Sequence, residues 1–164
     1  GSPIHLLASG SIMQQAIAAA ERLESLGYAA HIWSITSFVE LAREAENCER
    51  YNRLHPFDEQ RTPYVRQLFE HETGPIVAVT DYMKSLPNGI ARWMAEDYTV
   101  LGTDGFGLSE SRPVLREYFE ICDRHITYAA LVSLHRLGSL SDEKLRAYAS
   151  ELEIDADKVN PADR

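Results

Sequence analysis

Four short apolar runs, separated by stretches of helical spacing, constrain this sequence more than any other feature. They are Ile4-His5-Leu6-Leu7-Ala8 and residues 30–35, 76–80 and 99–102. The third, Ile76-Val77-Ala78-Val79-Thr80, is continuous and largely β-branched, as a parallel strand covered on both faces requires. Between the first two, Ile12, Ala16, Ala20 and Leu23 recur at helical spacing, with Ser11 as a candidate cap and Gly27 placed to end the helix. A short helix is predicted from Phe38 to about Ala45, capped by Ser37, and others over 64–70, 86–94, 113–120, 124–137 and 142–152. Ser141 is the expected cap of the last. Residues 46–63 read as an ordered excursion in which Tyr51, Leu54 and Phe57 supply apolar surface to bury. Strand and helix thus alternate along the chain. That pattern predicts an α/β domain of three layers, a mainly parallel Rossmann-like sheet with helices on both faces.

Length and charge narrow the partners. At 164 residues and 45% hydrophobic, the chain suits one domain that needs no disulfide or metal staple. Sixteen basic against twenty-five acidic residues give a net charge of −9, which argues against nucleic acid or an anionic membrane as partner. Two cysteines, Cys48 and Cys122, are too few for a disulfide framework and fit a reducing cytoplasm. No apolar run has the length of a membrane span, and no signal peptide is visible. Gly1-Ser2 resembles a cloning scar, so the expected division is 1–2 as scar and 3–164 as one domain cut from a longer chain.

A search for chemistry finds little. Ser9-Gly10-Ser11 follows the first strand without the further glycines that let a pyrophosphate approach, and there is no P-loop. The histidines His5, His31, His55, His71, His125 and His135 include no pair four apart on one helix, so no protein-built metal site is expected. Cys48 and Cys122 have acidic neighbours that oppose a thiolate, which makes both packing residues rather than nucleophiles. Gly102-Thr103-Asp104-Gly105 imitates the start of a magnesium–diphosphate motif. Such a motif needs an asparagine some way downstream, where this chain has Thr127-Tyr128-Ala129-Ala130-Leu131. Asp104 is therefore expected as a loop-turn or cap residue. No catalytic, cofactor-binding or metal-binding residue is assigned.

Three loops remain conspicuous. They are Cys48-Glu49-Arg50-Tyr51-Asn52-Arg53-Leu54-His55-Pro56, Thr80-Asp81-Tyr82-Met83-Lys84 and residues 103–112. Their mixture of Arg, Tyr and Phe is that of an interface core. Leu7-Ala8-Ser9-Gly10-Ser11, the strand Val77–Thr80, and Phe106-Gly107-x-Ser109 with Leu115 and Phe119 resemble the C-terminal domain of transketolase-like thiamine diphosphate enzymes. Within that superfamily the three loops and the ending 154–161 are similar to those of the homodimeric bacterial pyruvate dehydrogenase E1 family. The resemblance implies a parent enzyme that decarboxylates a 2-oxo acid on thiamine diphosphate with Mg2+ and acylates the lipoyl group of an E2 acyltransferase. It also implies that cofactor and chemistry reside in preceding domains, leaving this segment inactive alone. The implied partners are sister domains of the same chain, a second E1 subunit and E2. A paralogue acting on another 2-oxo acid, or an E2-docking module, is the alternative. Tyr82, Lys84, Asp104, Phe106 and Arg112 are the expected interdomain or dimer contacts.

Overall fold

The computed structural model describes residues 1, 3–95, 97–105 and 111–163. Four strands, β1 (Ile4–Ala8), β2 (Ala30–Ser34), β3 (Ile76–Val79) and β4 (Tyr98–Leu101), pair entirely in parallel in the order β2-β1-β3-β4. Leu6 of β1 stands opposite Ile32 of β2 and Val77 of β3, and Val77 stands opposite Thr99 of β4. Because successive side chains on a strand point to opposite faces, β1 and β3 divide their apolar residues between two cores. Ile4, Leu6, Ala8, Val77 and Val79 meet α1 (Met13–Ser25), α6 (Asp123–Arg136) and α7 (Asp142–Glu151). Leu7, Ile76 and Ala78 meet α2 (Phe38–Leu54), α3 (Tyr64–Phe69) and Trp93.

Both inner strands are buried at every position, which is why their sequences run apolar without alternation. Removing each of Leu6 and Leu7 from water stabilises the fold by about 1.5–3 kcal/mol. Strand β2 lies at the sheet edge and is half exposed. Two short helices, α4 (Ser85–Asn88) and α5 (Arg112–Tyr118), stand at the carboxyl ends of β3 and β4. The three-layer parallel fold is as the alternation predicts, and Ser37 and Ser141 cap their helices by accepting from the Glu40 and Lys144 backbone N–H groups.

Several local expectations are overturned. The helix expected to stop near Ala45 continues to Leu54, absorbing half of the supposed excursion. Ala45 and Cys48 keep the buried stripe going at helical spacing, and the Glu and Arg residues around them suit a solvated outer face. Leu54 and Phe57 are not buried: Phe57 is 99% exposed. The rest of the excursion is pinned instead by polar contacts. Asn52 Nδ2 donates to the Arg61 carbonyl at 2.9 Å, Asn52 Oδ1 accepts from the Arg61 N–H at 2.7 Å, and the Arg61 guanidinium lies over the Tyr51 ring. The helix predicted over 86–94 divides into α4, which ends at Gly89, and a 3-10 turn, Ala91–Trp93. Ser11 does not cap α1; it sits within a 3-10 turn, Gly10–Ile12, and its hydroxyl points elsewhere.

Candidate contact surface at the carboxyl ends of the strands

The chain leaves each inner strand through a loop at the same end of the sheet, and hydrogen bonds knit these loops together. Ser11 Oγ, after β1, donates to Asp81 Oδ2 at 2.6 Å, after β3. The Asp81 carbonyl accepts from Thr103 Oγ1 at 3.0 Å, and the Tyr82 carbonyl accepts from the Thr103 N–H at 2.9 Å. Asp104 Oδ1 accepts from the Lys84 N–H at 2.8 Å, as its expected role in a turn or cap requires. Gly102 is needed at the crossing of these loops. A Cβ there would stand 2.9 Å from both the Tyr82 carbonyl oxygen and Lys84 Cγ. Gly105, at φ +116°, would meet the Pro161 carbonyl at 2.6 Å, so the C-terminal turn closes against this loop.

Three of the expected contact residues, Tyr82, Lys84 and Asp104, therefore share one knitted surface. Tyr82 and Met83 project from it, 67% and 61% exposed. Arg112 stands nearby at the start of α5, lining a cavity of about 270 Å3 with Ser11, Asp81, Thr103 and Arg116. Phe106 lies outside the described residues. Sequence reasoning missed Ser11 and Asp81 as the pins of the surface. No spacing signals a side-chain pair seventy positions apart, and only the parallel sheet brings them together.

The residues here do not fit a magnesium–diphosphate group. Asp104 Oδ1 is taken by the Lys84 N–H, and Thr127, at the position where an asparagine ligand would be sought, is buried in α6 with its hydroxyl donating to the Asp123 carbonyl at 2.8 Å. The surroundings of both cysteines disfavour the thiolate. Burial, reinforced by Glu44, pushes the Cys48 thiol up to about 11. Burial likewise takes Cys122 to about 11, with Glu117 adding to the effect. A wider cleft of about 820 Å3 opens at the opposite end of the sheet, lined by Arg66, Glu72, Trp93 and Asp97 among others. Ligands of open parallel sheets bind at the carboxyl ends, so its size alone does not make it the functional site.

His5 is the other residue whose role the sequence hides. It is fully buried on β1, accepts from Trp33 Nε1 at Nδ1 over 3.0 Å, and lies 3.0 Å through Nε2 from the Thr73 carbonyl. With Nδ1 accepting, Nε2 carries the proton and donates to that carbonyl. The ring is a polar tie between β1, β2 and the turn before β3.

A parallel four-stranded sheet in three layers, with its loops knitted at the carboxyl ends, defines a Rossmann-like α/β domain. The pattern of the transketolase-like TK C-terminal domain family matches residues 2–122, and the chain belongs to that family. It is 43% identical over 160 residues to the pyruvate dehydrogenase E1 component of Escherichia coli strain K12, covering 96% of this chain and 18% of that protein. The corresponding Pseudomonas aeruginosa protein is 40% identical over 163 residues, 98% of this chain and again 18% of that protein. The matched portion is the C-terminal part of these relatives. The chain therefore spans about a fifth of their length. Among solved structures, transketolase from Leishmania mexicana matches with a TM-score of 0.55 at 21% identity, covering 82% of this chain and 17% of that one. A split-gene transketolase, described as an inactive beta4 tetramer, matches at 0.56 with 15% identity, covering 82% and 40%. At those identities the structures support the fold alone. Among the described residues no helix is long and apolar enough to cross a membrane.

Proposed function

We propose that this chain is the C-terminal domain of a pyruvate dehydrogenase E1 component, one domain over 3–164, which serves assembly rather than chemistry. The observation that carries the reading is the identity of 40–43% across nearly the whole chain, set against 18% of the relatives' length. In such an enzyme thiamine diphosphate with Mg2+ supplies the decarboxylation chemistry, held by domains this sequence does not contain. The residues present contribute contacts instead. Tyr82, with Met83 beside it, offers an exposed apolar anchor, and Lys84 and Arg112 supply cationic groups at its margin. Phe106 belongs with them as a further anchor, and Asp104 fixes the loop on which Lys84 stands. The partners are the sister domains of the same polypeptide and a second E1 subunit, in the cytoplasm. The surplus of acidic residues also suits a basic segment of the E2 acyltransferase.

Two measurements test this reading. Thiamine diphosphate with Mg2+, added to this chain alone, is expected to leave its melting temperature unchanged; a clear concentration-dependent rise overturns the non-catalytic assignment. Calorimetric titration with E2 fragments decides the last partner, and absence of heat at tens of micromolar removes E2 from the list.

A further inference from the structure

The corner between α5 and α6 gathers a carboxylate, a thiol and an imidazole that the assembly role does not use. Glu117 ends its run on the last turn of α5, Cys122 occupies the N-cap position of α6, and His125 stands on that helix's first turn. Their ligand atoms lie within 4.8 Å of one another. Cys122 Sγ donates to Glu117 Oε2 at 3.1 Å, and His125 Nε2 is 3.9 Å from Glu117 Oε1. The local pattern reads Glu-x4-Cys-x2-His, which places sulfur, nitrogen and oxygen donors around one point. We propose that Glu117, Cys122 and His125 form a three-ligand site for a borderline-soft divalent cation of the zinc class, its fourth position open to water.

The donor set selects that class. Thiolate and imidazole disfavour Mg2+ and Ca2+, which take oxygen, and suit tetrahedral Zn2+. A tetrahedral ion with bonds of about 2.3 Å to sulfur and about 2.1 Å to oxygen holds those two atoms about 3.6 Å apart. The present separation of 3.1 Å needs to open by a few tenths of an ångström, within reach of side-chain rotation. The thiol proton already lies between sulfur and carboxylate, where the cation would sit. Binding is an exchange of one for the other. The S–H bond breaks, the S–metal bond forms, one proton leaves to solvent, and no oxidation state changes.

The surroundings provide support for the ligands. The Arg124 guanidinium holds Glu117 through Oε1, leaving Oε2 directed at Cys122, and also donates to the Leu152 and Glu153 carbonyls. A ligating carboxylate held in this way has the outer partner that such sites require. Lys158, the other nearby cation, is tied to the Glu117 and Tyr118 carbonyls at 2.7 Å each, at the negative end of α5. Glu117 is half exposed, which leaves its carboxylate within reach of solvent.

A second trio, His5, His31 and Glu72, is also close enough to bind an ion. It does not qualify, because both nitrogens of His5 are engaged by Trp33 and Thr73.

Cobalt(II) titrated into the reduced, chelator-free chain at neutral pH tests the site. The expected result is a sulfur-to-cobalt charge-transfer band in the near ultraviolet that saturates at one equivalent and is displaced by zinc. Cys122→Ser abolishes the band and Cys48→Ser retains it. His125→Ala, with its melting temperature measured as the control for folding, weakens cobalt binding at least tenfold. Absence of the band in the folded wild-type chain overturns the proposal. So does its persistence in Cys122→Ser, or unchanged affinity in His125→Ala. None of these outcomes bears on the assembly role.

Discussion

Asp104 Oδ1 lies 2.8 Å from the Lys84 backbone nitrogen and accepts its hydrogen, tying the loop after β4 to the loop after β3. The acid that imitates a metal-binding motif is thereby a tie between two loops. Without it, the Lys84 N–H at the start of α4 loses a part-buried partner.

Asp104→Ala is expected to cost about 1–2 kcal/mol, the ordinary penalty for an orphaned part-buried donor. Asp104→Asn retains an oxygen at the same place and is expected to recover most of that loss. Urea denaturation of the two variants separates them. Equal stability of Ala and Asn would remove the hydrogen bond from the account.

Gly105→Ala combines a left-handed backbone with a 2.6 Å approach to the Pro161 carbonyl. A loss of about 1–3 kcal/mol is expected, from strain and from loosening the C-terminal turn. Faster proteolysis of the last residues, with the core still protected, is the accompanying sign.

Trp33→Phe keeps the ring against Phe69 but deprives His5 Nδ1 of its donor inside the core. The expected cost is about 1–3 kcal/mol, from the orphaned imidazole nitrogen together with the space left by the lost pyrrole ring. Thermal unfolding of the wild type, Trp33→Phe, His5→Leu and the double variant closes the cycle that measures the coupling.

The Cys48 and Cys122 thiols, each pushed up to about 11, are expected to react with iodoacetamide at about pH 8 some two orders of magnitude more slowly than a free thiol. Cys48 also predicts a slope in alkaline stability. Its folded value exceeds the unfolded one, so between the two the unfolded chain releases the proton first. Stability therefore falls as pH rises from the ordinary thiol range towards about 11, and Cys48→Ala flattens that decline.

What was readable in advance follows the physics of each segment. The inner strands announce themselves because burial on both faces removes polar residues from them. Ser37 and Ser141 were readable because capping is local. The continuation of α2 past Ala45 was not, since a mostly polar helix that buries only one narrow stripe has the composition of a loop. The Ser11–Asp81 pair, the buried bonds of His5 and the meeting of Glu117 with Cys122 and His125 depend on tertiary or corner geometry. Contact residues on the carboxyl-end loops were named from the resemblance. The fold places Tyr82, Lys84 and Asp104 on one surface, with Arg112 across a cavity from it.

The central claim is that this surface assembles the parent enzyme. Sedimentation equilibrium of the full-length protein carrying Tyr82→Ala and Arg112→Glu tests it most directly, with the melting temperature of this chain bearing the same changes as the control for folding. The account predicts self-association weakened by about tenfold or more, at an unchanged melting temperature. An association constant equal to that of the wild type would contradict it.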